Sequence, residues 1–147
     1  MHVLFLAPDT HVYNHGFVRA LKALGAKVSA IGPAGREALS PAAGHLLDDY
    51  RTCHNPLDRE AMLTAARQMA RPDFDRIETI DEPLVEPAAA LREDLGVPGL
   101  PLATARLCRD KVAMKEFLRG HSIPCAESAA AASADEARSF AERCGYP

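Results

Sequence analysis

HVLFLAPDTHVYNHGFVRALKALGAKVSAIGP, residues 2–33, is the stretch on which the fold turns. Val3-Leu4-Phe5-Leu6-Ala7 is an unbroken apolar run closed by Pro8-Asp9-Thr10, the pattern of a strand buried on both faces and followed by a turn. Phe17, Val18, Leu21 and Leu24 then recur at helical spacing, with Asn14 placed to cap the start. Gly25 follows the last apolar residue, where a left-handed backbone is cheapest. Lys27 to Pro33 reads as a second strand, which completes a β-α-β unit with a right-handed crossover. The turn after the first strand carries no G-x-G-x-x-G, which counts against a dinucleotide-binding domain.

Outward from this unit the alternation continues. Gly35 to Gly44 suggests a short helix within loops, and Leu46 to Cys53 a third, weaker strand. Asp58 caps a helix whose apolar face is Ala61, Met62, Ala65, Ala66 and Met69, and Pro72 stops it. Arg76 to Ile80 reads as a fourth strand, and Glu82-Pro83 opens a helix through Leu84, Ala88, Leu91 and Leu95 to Gly96. The expected class is therefore α/β, a doubly wound and mainly parallel sheet. Val97-Pro98-Gly99-Leu100-Pro101 reads as a boundary, because its two prolines lack backbone donors. Beyond it Ala103 to Leu107 reads as helical, and Asp110 caps a helix through Val112, Met114, Phe117 and Leu118 that Gly120 ends. Ser133-Ala134-Asp135-Glu136 is a capping box for a last helix that carries Ala137, Phe140 and Ala141 inward and stops at Gly145.

The chain has 147 residues, 48% of them hydrophobic, and a net charge of -3. A chain of this length buries roughly 68–70% of its unfolded surface, enough for a core without metals or disulfides. No stretch of the length that a membrane helix needs is apolar, and Met1 to Leu6 lacks the basic start of a signal peptide. Slight acidity without a clustered basic face argues against a nucleic-acid partner. Cys53, Cys108, Cys125 and Cys144 are widely spaced, neither a zinc pattern nor a disulfide framework, and are expected as reduced thiols in a cytoplasmic protein.

The last third carries a more specific pattern. Thr104-Ala105-Arg106-Leu107-Cys108-Arg109-Asp110-Lys111-Val112-Ala113-Met114-Lys115 is followed by Ile123-Pro124, then by a capped helix running into Cys144-Gly145-Tyr146-Pro147. This order resembles the N-terminal part of the ATP-grasp ligases, most of all the biotin carboxylase and carboxylate-amine ligase branch. Glu82 and Leu95-Gly96-Val97-Pro98-Gly99 are similar to the approach into that region, while Gly120 sits away from the family's usual glycine. The resemblance implies a Rossmann-like preATP-grasp domain over residues 1–102 and an incomplete, helical start of the ATP-grasp domain over 103–147. It further implies an enzyme that uses ATP and magnesium to activate a small-molecule carboxylate or bicarbonate through an acyl phosphate. The second nucleotide-binding lysine, adenine pocket and magnesium-binding carboxylates of that family follow Gly-Tyr-Pro, so this chain is expected to be an N-terminal fragment, not catalytic alone and without tight nucleotide binding.

Lys111 is the one cofactor-binding residue that the resemblance implies, its ammonium contacting nucleotide phosphate; by itself a lysine in a first helical turn is a solvated surface group. Asp110 suits the positive end of its helix. Asp9, His11 and His15 lie just past the first strand, where open α/β sheets place ligands. The four-residue spacing of the two histidines permits a metal pair only if they share a helical face; because Asn14 starts the helix, exposed loop histidines are the expectation, and no metal site is assigned. Cys53 and His54 are adjacent and so point to opposite faces, which argues against a nucleophile and its base. Glu78, Asp81, Glu82 and Glu86 cluster around a strand end, a place open to a paired-carboxylate reading, though capping and dipole effects at the following helix explain Asp81 and Glu82 more economically. The alternative reading is a stand-alone Rossmann-like binding or oligomerisation module, for which exposed Phe117, Leu118 and Phe140 would predict a homodimer.

Overall fold

The computed structural model describes residues 1–11 and 13–145. The opening apolar run forms β1 (His2–Leu6), with all five residues buried. It is followed by α1 (Asn14–Ala23), β2 (Lys27–Gly32), a 3-10 turn at Arg36–Ala38, α2 (Pro41–Gly44), β3 (Asp49–Thr52), α3 (Arg59–Arg67) and β4 (Arg76–Glu78). A 3-10 turn at Glu82–Leu84 then leads into α4 (Val85–Leu95), α5 (Leu102–Arg109), α6 (Lys111–Gly120) and α7 (Ala134–Cys144). The strands form one parallel sheet in the order β3-β2-β1-β4, in register His2 with Lys27, Val3 with Arg76 and Ser29 with Asp49.

Alternation along the strands builds two cores. Leu4, Leu6, Ile31 and Ile77 meet Met62, Leu63 and Ala66 of α3 and Ala88 and Leu91 of α4 on one face. Val3, Phe5, Val28, Ala30 and Tyr50 meet Val18 of α1 and Leu47 on the other. Buried Arg92 ties α4 to the sheet, donating from Nε to the Ile77 carbonyl at 2.8 Å and from its terminal nitrogen to that carbonyl and to Glu78 Oε2. Its side chain lies over Gly99, where a Cβ would come 2.5 Å from Arg92 Cδ, so the proline-flanked segment needs glycine there.

The chain divides into two compact units, Met1–Ala105 and Arg106–Pro147. In the second, Asp110 caps α6 by accepting from the amides of Val112 and Ala113, and Ser133 caps α7 by accepting from the amide of Glu136. No residue from 106 to 145 is buried. Tyr146 and Pro147, which end the Gly-Tyr-Pro motif, lie outside the described residues.

Several local expectations are corrected. Asn14 is the first residue of α1 rather than its cap; the cap position is Tyr13, with no side-chain bond to the helix. Phe17 and Leu24 are 51% and 80% exposed, so only Val18 and Leu21 of the expected stripe face the sheet. β4 ends at Glu78, two residues early, because Thr79 and Ile80 leave the ladder toward the loop that holds Asp81. Gly120 does end α6, as its last residue, but the left-handed residue beyond is Ser122, with φ at 57°. The Glu136 carboxylate accepts from the amide of Ala132 instead of closing the box on Ser133.

Candidate functional site

The sheet grows from β1 toward β2 and β3 on one side and toward β4 on the other, so the chain reverses direction of growth between β1 and β4. At such a switch point the loops beyond the carboxyl ends of the two strands diverge and leave a crevice. Here they are the Ala7–His11 segment and the Thr79–Asp81 segment, with the first turn of α1 between them.

Ala7 turns the chain out of β1 with φ at 53°, a left-handed conformation that costs a non-glycine residue about 1–2 kcal/mol. Its amide still donates to the Ile31 carbonyl at 2.7 Å, and its carbonyl accepts from Asn14 Nδ2 at 2.7 Å. Asn14 is fully buried (0% exposed), and Nδ2 also reaches Asp81 Oδ1 at 3.5 Å. Among the described residues the Asp81 side chain, 6% exposed, accepts only that long bond; His11 Nε2 stands 3.7 Å from the same oxygen, beyond hydrogen-bond range. Asn14 Oδ1 and Asp81 Oδ2 have no hydrogen-bond partner among the described residues. Asp81 precedes the 3-10 turn at Glu82 without capping it through its side chain, so the capping explanation for Asp81 is corrected.

Asp9 is held differently. Its Oδ2 accepts from the amide of Ser40 at 3.2 Å, and its Oδ1 accepts from the Ser40 hydroxyl at 3.2 Å and contacts His15 Nε2. Ser40 also caps α2, accepting from the amide of Ala43. The Ser40 hydroxyl lies 3.4 Å from the same His15 nitrogen that meets Asp9. A hydrolytic triad needs nucleophile and acid on opposite ring nitrogens, so these three side chains form an anchor for the loop rather than an activated serine. His11 and His15 thereby stand beside different carboxylates; His15, expected as an exposed loop residue, is instead partly buried in α1. Among the described residues no three His, Cys, Asp or Glu side chains converge as a metal site would require.

Beside Asp9 a cleft of about 80 Å³ is lined by Pro8, Thr10, Gly32, Leu39 and Tyr50. The Tyr50 hydroxyl donates to the Ala34 carbonyl at 2.7 Å, and burial, helped by the charges of Asp9 and Glu37, pushes its pKa up to about 12. Cys53 is buried, its sulfur donating to the Asn55 carbonyl, and burial raises its thiol; His54 bonds the Pro33 carbonyl instead, in keeping with the structural reading of that pair. Lys111 is exposed at the first position of α6, in the second unit. The sequence reading passed over Ser40 altogether and assigned Asn14 to a cap. Polar residue type at a helix start cannot tell a side chain turned to the helix from one turned under the sheet.

The parallel sheet in this order, covered by helices on both faces, is the fold of the N-terminal domain of the ATP-grasp ligases. The chain superposes on phosphoribosylglycinamide synthetase from Anaerococcus prevotii with a TM-score of 0.74 at 18% identity, over 99% of this chain and 35% of that one. It matches an L-amino acid ligase from Bacillus licheniformis at 0.68 and 24% identity, over 84% of this chain and 30% of that one. The biotin carboxylase domain of the Hydrogenobacter thermophilus 2-oxoglutarate carboxylase, solved with MgADP and bicarbonate, matches at 0.70 and 24% identity, over 99% and 33%. The chain thus spans about a third of the length of these structures. No protein-family model matches the sequence, and no curated protein matches it. Among the described residues no helix is long and apolar enough to cross a membrane.

Proposed function

We propose that this chain is the substrate-side, N-terminal portion of a cytoplasmic ATP-dependent ligase. In such an enzyme ATP phosphorylates a carboxylate or bicarbonate and a nucleophile displaces the phosphate. Residues 1–102 form the substrate domain, and 103–147 begin the nucleotide domain. The observation that carries this reading is the 99% coverage of the chain at a TM-score of 0.74, which extends past the common sheet into the terminal helices. The β1/β4 crevice, with Asn14 and Asp81 in its wall, is the substrate side.

ATP and magnesium do not fit the residues present here as a site. Lys111 is exposed at the start of α6, and the described residues bring together no set of carboxylates for a divalent cation. Lys111 is accordingly one phosphate contact of a clamp whose remaining parts come from elsewhere in the enzyme, and this chain alone does not turn ATP over. Two measurements test the reading. The 147-residue chain should show no steady phosphate release from magnesium-ATP; sustained turnover would overturn it. The coding sequence beyond Pro147 should supply an apolar strand bearing a second lysine, followed by paired acidic residues; a stop codon there would refute it.

A second reading, a stand-alone module that pairs with its own copy, draws on α6 and its following loop, where Phe117 is 48% and Ile123 47% exposed, while Leu118 and Phe140, expected to be exposed, are half-buried. Sedimentation decides between them: a dimer lost in Phe117→Glu would favour the module, and a monomer the ligase portion.

A further inference from the structure

We infer that Arg92 is a positioning residue: it holds the Ile77 carbonyl on one side and lies against Gly99 on the other, and so couples Asp81 in the crevice to the proline-flanked linker that leads toward the second unit. The inference rests on the crevice being the substrate side only for what the coupling serves. The coupling itself is a property of the 147-residue chain.

Arg92 is the one buried Lys or Arg among the described residues. Burying a cation is costly, and apolar residues of similar volume commonly replace a buried ion pair without loss of stability. Nε and a terminal nitrogen of Arg92 converge on a single oxygen, the Ile77 carbonyl, and the carboxylate beside them, Glu78 Oε2 at 3.3 Å, belongs to a half-exposed side chain. Stability is a weak reason for such a group. What a planar fork secures is direction, which a single-point cation would not.

Ile77 is where direction matters. β4 pairs with β1 only as far as Phe5 with Glu78, so the chain beyond has no ladder to hold it. That chain is braced by its own bonds, the Asp81 amide donating to Thr79 Oγ1 at 3.1 Å and the Leu84 amide to the Asp81 carbonyl at 2.9 Å. Buried Leu84 pins its far end, and Arg92 holds its root.

The opposite side of Arg92 meets the linker. A Cβ on Gly99 would stand 2.5 Å from Arg92 Cδ and 2.8 Å from Nε. The Val97 amide donates to the Arg92 carbonyl at 2.8 Å, and Glu93 Oε1 accepts from the Leu102 amide at 2.9 Å, so the last turn of α4 grips the linker on both sides of Gly99. A push from Gly99 therefore falls on Arg92 and, through its bonds, on the Ile77 carbonyl, because a close-packed interior transmits strain. A hollow of about 270 Å³, lined by Arg76, Glu78, Pro98 and Leu100, lies beside the guanidinium and gives it room to shift without unfolding the domain.

The test is a double-mutant cycle on the nitrogen-15-labelled 147-residue chain, read by NMR at the Asn14 side-chain amide. That amide donates to Asp81 Oδ1 at 3.5 Å and belongs to α1, an element that none of the substitutions touches. Gly99→Ala is expected to shift its resonances. Gly96→Ala is the control: it strains a residue with φ at 66° three positions earlier, but its Cβ meets nothing, so it lowers stability without pushing Arg92 and leaves the Asn14 amide where it was. In an Arg92→Ala background the new methyl has no side chain to displace, and Gly99→Ala adds no further shift. Additive shifts overturn the inference, as does an Asn14 amide that moves alike in the two glycine variants or in neither. If Arg92→Ala does not fold, the comparison of the two glycine variants decides alone. The outcome is separable from the ligase reading: magnesium-ATP turnover by this chain would sink that reading and leave the coupling standing, and an additive cycle would do the reverse.

Discussion

Replacing Asp81 by asparagine should make the free protein more stable, against the usual direction of a buried substitution, which costs about 1 kcal/mol. The side chain is 6% exposed, and one of its oxygens has no partner among the described residues. An amide of the same shape removes a buried charge whose basic neighbour, His11 Nε2, stands 3.7 Å away, beyond hydrogen-bond range. An unsatisfied buried polar group costs about 1–3 kcal/mol, and some of that is already relieved by the 3.5 Å bond from Asn14. A net gain of about 1–2 kcal/mol is therefore expected. For a cooperative unit of about 100 residues, the size of Met1–Ala105, that raises Tm by roughly 5–10 °C. The assay is calorimetry of both proteins at neutral pH, with urea unfolding to show that the midpoint moves while the slope does not. A Tm that is unchanged or lower would mean that the carboxylate already has its counter-charge, and the reasoning about the crevice would fail with it.

Asp9→Asn should act in the opposite direction, losing about 1–3 kcal/mol, because Asp9 accepts from the Ser40 amide and hydroxyl and meets His15, and an amide nitrogen would face a donor; the same calorimetry measures it. Acid should weaken the fold through Asp49: burial pushes its carboxyl up, but the amides of Ala70 and Tyr50 and the Arg51 guanidinium outweigh this and hold it below the usual value. Its contribution is therefore complete above the unfolded carboxylate range near about pH 4 and is lost as pH falls through the lower folded value, and urea midpoints of Asp49→Asn should show a shallower acid limb. Thiol modification of the native chain should reach exposed Cys108 and Cys144 quickly and buried Cys53 only on unfolding, with mass spectrometry of timed digests as the readout; rapid labelling of Cys53 would contradict its burial and raised thiol.

The sheet was legible because its signal is one of composition along short runs. Val3 to Ala7 is apolar throughout and Val28 to Gly32 apolar but for Ser29, both buried on both faces as in strands covered by helices on two sides, and Gly25 and Gly96, with φ at 77° and 66°, mark the helix ends expected of them. The third strand was weaker in the sequence for a physical reason. Asp49-Tyr50-Arg51-Thr52 is an edge strand, paired only with β2, so just one of its residues is buried and its apolar pattern is diluted. The site was legible only as a region. Asp9, His11 and His15 were placed by the rule that ligands lie beyond the carboxyl ends of parallel strands, but pairing each histidine with its own carboxylate depends on how the loop folds over β1. That is set by the left-handed turn at Ala7, a conformation that an alanine does not announce.

The two carboxylates beyond β1 and β4 separate the work of holding the crevice from the work of filling it. Asp9 spends both oxygens on the Ser40 backbone and hydroxyl and on His15, which fastens the loop after β1 to the start of α2 and leaves little for a ligand to gain. Asp81 is more deeply buried and yet keeps one oxygen unpartnered, and the side chain next to it does the same. Stability alone would select the reverse arrangement, with the deeper carboxylate saturated and the shallower one open to water. The inverted order accords with the proposed substrate side, and the left-handed turn at Ala7, whose carbonyl accepts from Asn14, holds that side chain beside Asp81.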